Sequence, residues 1–139
     1  MFDNSRNNRN KNENTSPTGT ILLVDDKDVS RITTKWFLNH FGYVVDCVRT
    51  GEEALFTFDS KSHDLVVTEC LTEGMSGVEL AYVLKMRSPN TPVVLYSAIA
   101  PPSQTCLDLV LIKPTHLLEV KDSLDRILSS SKQMTPTSG

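Results

Sequence analysis

Three carboxylates, a hydroxyl and an ammonium stand at the ends of short apolar runs. Asp25 and Asp26 follow ILLV, Glu69 follows DLVVT, Ser97 ends PVVLYS, and Lys113 follows LVLI. Charged and polar groups of this kind bind polar ligands, and in open parallel sheets ligands sit beyond the carboxyl ends of the strands. Each group alone has a plainer reading: an Asp-Asp pair after a strand commonly caps a helix, and Lys-Pro commonly marks a loop. Their joint placement at successive strand ends singles them out.

The runs that position these groups are ILLV at 21–24, YVVDCV at 43–48, DLVVT at 64–68, PVVLYS at 92–97 and LVLI at 109–112. They predict five strands. Three are continuously hydrophobic, as parallel strands covered on both faces must be, and they alternate with helix-period segments, so the expected class is α/β with a doubly wound open sheet. YVVDCV is more mixed and is placed at an edge. Helices are expected over roughly 27–41, 51–58, 76–87 and 115–128, the last with Leu117, Val120, Leu124, Ile127 and Leu128 at helical spacing. Between the last two strands, AIAPPSQTCLD is short and carries Pro101 and Pro102, so a helix there is shortened or missing.

Residues 1–19 are asparagine-rich and nearly free of apolar side chains, and 129–139 (SSSKQMTPTSG) have the same character. Both read as disordered tails around one domain at 20–128. With 139 residues and 39% hydrophobic content, the chain can bury a core without disulfides or metals. A net charge of −3 speaks against a nucleic-acid partner. Cys47, Cys70 and Cys106 are widely spaced with no CxxC pair, the pattern of reduced thiols in a cytoplasmic protein. No apolar run approaches the ~20 residues of a membrane span.

ILLVDD, DLVVTECLTEGMSGVEL, PVVLYSA and LIKP occur in that order, with Gly77 eight positions after Glu69. In these four motifs and their spacing the sequence resembles the response-regulator receiver family over about residues 20–128. The resemblance implies a flavodoxin-like five-stranded parallel sheet of order 2-1-3-4-5. It further implies that Asp25 and Asp26 match the acidic pair that binds Mg²⁺, Ser97 the phosphate-sensing hydroxyl, and Lys113 the lysine that pairs with the phosphoryl group. No organic cofactor is implied. Mg²⁺ takes oxygen ligands at ~2.0–2.1 Å, and such a cation with a lysine neutralises charge during phosphoryl transfer.

The phosphoacceptor position departs from the family: it holds Glu69, not aspartate. The extra methylene moves the carboxylate by about one C–C bond, ~1.5 Å. A misplacement of ~1 Å can cost on the order of 10²-fold in rate, so the expectation is a binding switch, a pseudo-receiver and not an enzyme. Its Glu69 carboxylate would reach toward Lys113 and Ser97 as a partial phosphate mimic. Val110 stands at the switch position where the family carries an aromatic, and Thr72 and Glu73 replace its usual Met-Pro.

On the first helix Thr34, Phe37, Leu38 and Phe41 share one arc, and Val29, Ile32 and Trp36 the opposite one. With the first arc in the core, the second becomes an exposed surface for a protein partner: a histidine kinase, a phosphotransfer protein, a downstream signalling protein, or a second copy in a homodimer. The plainer reading is a patch covered by a tail or neighbouring loop. His40, His63 and His116 lack metal-ligand spacing. The alternative function is a conventional phosphoacceptor response regulator that takes phosphate from a histidine kinase with Mg²⁺. A DNA-binding regulator finds no helix-turn-helix segment here, and a flavin site is opposed by the acidic turn DDKDVS.

Overall fold

Five parallel strands form one sheet in the order β2-β1-β3-β4-β5, with β1 at Gly19–Val24, β2 at Tyr43–Val48, β3 at Leu65–Thr68, β4 at Val93–Ser97 and β5 at Leu109–Ile112. The structure is a computed structural model that describes residues 19–134. Its helices are α1 at Asp28–His40, α2 at Gly51–Lys61, α3 at Gly77–Arg87 and α4 at Leu117–Met134. This is the flavodoxin-like order expected from the sequence, with the mixed strand YVVDCV at one edge.

Strand residues alternate between two cores because successive side chains point to opposite faces. Ile21, Leu23, Val45, Val67 and Val94 pack with Phe37 and Leu38 of α1 and with Val120, Leu124 and Leu128 of α4. Leu22, Val24, Val66 and Val93 pack with Ala54 and Phe58 of α2 and Leu80, Ala81 and Leu84 of α3. Full burial of each such aliphatic side chain contributes about 1.5–3 kcal/mol. Two helices therefore cover each face, and the strand ends are left as the open edge.

Local chemistry sets where the helices start. Thr50 accepts the Glu53 amide at 3.1 Å while the Glu53 carboxylate accepts the Arg49 amide at 2.9 Å, closing the first turn of α2. Ser76 and Glu79 form a reciprocal capping box at α3. His116 Nδ1 accepts the Leu118 amide at 3.2 Å and heads α4. The side chain of Lys27, the residue before α1, makes no cap, and Asp25 instead braces the turn into the helix by accepting the Lys27 amide at 3.0 Å and the Ser30 hydroxyl.

No helix forms between β4 and β5, where Pro101 and Pro102 lie. Two boundaries differ from the sequence expectation. Gly19, assigned to the leading tail, already pairs with Tyr43 as part of β1. Residues 129–134, assigned to the trailing tail, continue α4, where Ser131 Oγ donates to the Asn90 carbonyl at 3.1 Å. The remainder of both tails, 1–18 and 135–139, lies outside the described residues.

Candidate functional site

At the carboxyl edge of the sheet, Lys113 and Glu69 form a part-buried ion pair. β3 ends at Thr68 and carries Glu69 to the rim, and β5 with Ile112 does the same for Lys113. Lys113 Nζ lies 3.0 Å from Glu69 Oε2, with side-chain exposures of 24% and 13%. The same ammonium donates to Ser30 Oγ at 2.9 Å and sits 4.8 Å from the Tyr96 ring centroid, a cation–π contact. Ser30 in turn donates to Asp25 Oδ2. Glu69, Lys113, Ser30 and Asp25 thus form one continuous chain of charge-assisted hydrogen bonds.

Asp25 is 2% exposed, and its two oxygens are taken by the Lys27 amide and the Ser30 hydroxyl. Asp26 is less enclosed; its Oδ2 accepts the Glu73 amide at 3.0 Å, which ties the loop after β3 to the loop after β1. Arg31 donates to the Asp25 carbonyl at 3.1 Å and to Asp28 at 2.8 Å, and Arg49 reaches the same Asp28 oxygen at 2.8 Å. Hydrogen bonds from Arg31 and then Arg49 hold the Asp28 carboxyl below its ordinary value.

The backbone beneath Glu69 is fixed closely. Gly77 donates its amide to the Cys70 carbonyl at 2.8 Å, and a Cβ on Gly77 would lie 2.3 Å from the Glu69 carbonyl oxygen. Only glycine admits α3 this near to β3. The Tyr96 phenol is pushed up first by burial and second by the Glu69 charge, and the Cys70 thiol is pushed up by the same two causes in the same order.

The structure brings Asp25, Asp26, Glu69, Ser97 and Lys113 to one edge. One expected contact is corrected: Ser97 does not meet the Glu69 carboxylate. Its hydroxyl caps the turn after β4 by accepting the Ile99 amide at 3.1 Å. Val110 is half-buried in β5 opposite Leu95. Val29, Ile32 and Trp36 lie on the outer side of α1, with Trp36 66% exposed and its ring stacked on His40 at 5.6 Å. Cys47, Cys70 and Cys106 are free thiols.

Sequence reasoning missed Ser30, Tyr96 and the Glu73 amide. A hydroxyl five residues after Asp25, in the first turn of the following helix, was the available signal for Ser30.

Asp25 and Asp26 offer the hard oxygen donors that Mg²⁺ takes, each with lone pairs beyond its present hydrogen bonds. Among the described residues no three His, Cys, Asp or Glu side chains converge as a metal nest. Glu69 is engaged with Lys113, so the donor set that fits the ion is the acidic pair.

The family model for the response regulator receiver domain matches residues 21–109. The autoinducer 1 sensor kinase/phosphatase LuxN of Vibrio campbellii is 30% identical over 125 residues, covering 85% of this chain and 14% of that protein. The chain therefore spans about a seventh of that relative's length. Among solved structures, the response regulator TrrA of Thermotoga maritima, in complex with Mg²⁺-BeF, superposes with a TM-score of 0.74 at 29% identity, covering 78% of this chain and 97% of that one. The receiver domain of a signal transduction histidine kinase from Syntrophus aciditrophicus gives a TM-score of 0.75 at 28% identity, over 81% and 91% of the two chains. With this sheet order, these residues at the strand ends and this match over most of its length, the chain belongs to the response regulator receiver domain family.

Proposed function

We propose that this receiver domain is a pseudo-receiver: it signals by binding another protein, and Glu69 in the phosphoacceptor position does the work that a phosphoryl group does elsewhere. One observation carries the reading. The Glu69 carboxylate lies 3.0 Å from the Lys113 ammonium, so the lysine that would pair with an incoming phosphoryl oxygen is already neutralised from within. The carboxylate acts as a tethered anion and the domain is held near one conformational state.

Transfer chemistry is disfavoured on two physical grounds. The longer side chain displaces the acceptor oxygen by about one bond length, and its charge is spent on Lys113. Mg²⁺, held by Asp25 and Asp26, would supply charge neutralisation for phosphoryl oxygens. With Glu69 in place, Asp26 ties the loop after β1 to the loop after β3 through the Glu73 amide, and Asp25 braces the turn into α1 through the Lys27 amide and the Ser30 hydroxyl.

The partner is a protein of the two-component class: a histidine kinase, a phosphotransfer protein or a downstream component. The exposed stripe Val29, Ile32 and Trp36 on α1 is the surface that meets it, since tryptophan is enriched at binding hot spots.

Intact mass after incubation with acetyl phosphate and Mg²⁺, on the native chain beside Glu69→Asp, tests the proposal. The expected result is phosphate uptake by Glu69→Asp alone. Uptake by the native chain would overturn the reading and make the domain a conventional phosphoacceptor. Uptake by neither would leave binding as the activity and remove transfer chemistry from the pocket.

A further inference from the structure

A second apolar surface lies on the opposite face of the sheet from α1. An open groove of about 670 Å³ runs between the start of α2 and the outer side of α3, lined by Glu52, Met75, Val78, Glu79, Tyr82 and Val83. Val78, Tyr82 and Met86 repeat every four residues and form one stripe along α3, with Tyr82 58% and Met86 69% exposed. Phe56, one turn beyond Glu52 on the same side of α2, is 77% exposed. The core-facing residues of both helices are Ala54, Phe58, Leu80, Ala81 and Leu84, so this outer stripe is surplus to folding.

The groove has a sign. Its charged lining residues, Glu52 and Glu79, are both carboxylates. Glu52 is exposed and lies against Gly74, whose built Cβ would stand 3.0 Å from Glu52 Oε1. Arginines near the two ends of α2 are already tied to other carboxylates: Arg87 to Asp59 at 2.6 Å and Arg49 to Asp28 at 2.8 Å. The groove beside Trp36 on α1 has the reverse character, lined by Arg31 and Lys35. Arg31 is itself tied to Asp28 at 2.8 Å, so Lys35 alone gives that groove its positive charge, and the α2–α3 groove is the more acidic of the two.

We infer that the α2–α3 groove docks a cationic amphipathic helix of a partner protein, with apolar side chains seated between Val78 and Tyr82 and Lys or Arg side chains against Glu52 and Glu79. Helix-in-groove recognition needs an apolar floor for side chains at i, i+4 and i+7, and flanking charge that sets sign and on-rate. Both are present here, on elements that carry none of the Glu69 pocket's side chains, so this inference and the reading of Glu69 can fail separately.

The test uses the full chain and a dye-labelled synthetic helix of leucine and lysine, with a leucine–glutamate helix of equal length as control. Fluorescence anisotropy should show saturable binding of the Leu/Lys helix only. Tyr82→Ala, and the double variant Glu52→Gln with Glu79→Gln, should each weaken it at least tenfold, whereas Leu118→Ala on α4 should not. Glutamine keeps the capping hydrogen bond of Glu79, so the double variant remains folded, as far-ultraviolet circular dichroism should verify. Equal binding of both helices, insensitivity to these substitutions, or no saturable binding would overturn the inference. Concentration-dependent dimerisation of the native chain that Tyr82→Ala abolishes would also overturn it, by making the occupant a second copy.

Discussion

The two ends of the sheet each carry a lysine–carboxylate pair, and the pairs do different things. At the amino end, Lys85 Nζ is 2.7 Å from Asp108 Oδ2, and that same oxygen accepts the Val93 amide at 2.7 Å. At the carboxyl end, Lys113 meets Glu69 at 3.0 Å, and among the described residues Glu69 accepts no backbone amide with its side chain. Asp108 satisfies the first donor of a fully buried strand, so its charge is part of the sheet. Among the described residues Glu69 satisfies another side chain and no strand amide, so its charge is not part of the sheet's own bonding. A carboxylate fastened to backbone carries part of the sheet, and one fastened to another side chain can be replaced without unpairing a strand.

The carboxyl end does have a backbone fastening, but it lies beneath the carboxylate, where Gly77 meets the Glu69 and Cys70 carbonyls. Gly77→Ala should therefore give the largest loss of stability. Its new Cβ would lie 2.3 Å from the Glu69 carbonyl oxygen and 3.2 Å from Thr68 Cγ2, and that carbonyl is also held by the Thr68 hydroxyl at 2.9 Å. With no room on either side, the cost falls at the upper end of overpacking, about 3 kcal/mol. Urea denaturation measures it as a lowered midpoint at unchanged slope. A loss under about 1 kcal/mol would show that α3 can slide away from β3, and the fixed platform under Glu69 would be lost from the account.

Asp108→Ala should cost less, about 1–3 kcal/mol, the penalty for leaving a buried amide unpaired. Lys85 keeps its bond to the Thr91 carbonyl at 2.9 Å, which limits the damage. A neutral result from the same urea titration would break the comparison, because both pairs would then be equally dispensable to the fold.

How much of this could be read from the chain varies with the physics of each part. The strands were legible because ILLV, LVVT and VVLYS are buried on both faces and need unbroken apolar runs. The core arc of α1 was legible because Thr34, Phe37 and Leu38 recur at helical spacing, and the structure buries all three. The end of α4 was not: residues 129–134 add a turn and a half with no apolar period, held by helix backbone and by the Ser131 bond to Asn90. In the pocket, the meeting of Glu69 and Lys113 followed from residue type and strand order. The turn of Ser97 toward the Ile99 amide did not, because a rotamer set by the following loop leaves no mark in residue identity. The Glu73 amide on Asp26 was hidden for the same reason: any residue but proline brings an amide.

Glu69→Gln should have the smallest effect on stability and the most informative effect on charge. Glutamine keeps an acceptor for Lys113, and the ammonium retains Ser30 at 2.9 Å and the Tyr96 ring at 4.8 Å. The loss should stay near 1 kcal/mol, between an exposed pair and a fully buried one. The charge change is read at Tyr96, whose phenol is raised first by burial and second by Glu69. Removing the carboxylate charge leaves burial in force, so the Tyr96 pKa should fall part of the way toward its ordinary value, as followed by ring resonances in an alkaline NMR titration. The direction follows from electrostatics alone, since a nearby negative charge opposes formation of a phenolate and its removal eases it. An unmoved Tyr96 together with a large fall in stability would place Glu69 with Asp108 among the structural carboxylates. A moved Tyr96 in a chain that unfolds nearly as before would show that the Glu69 charge is held by Lys113 and not by the sheet, as a tethered anion requires.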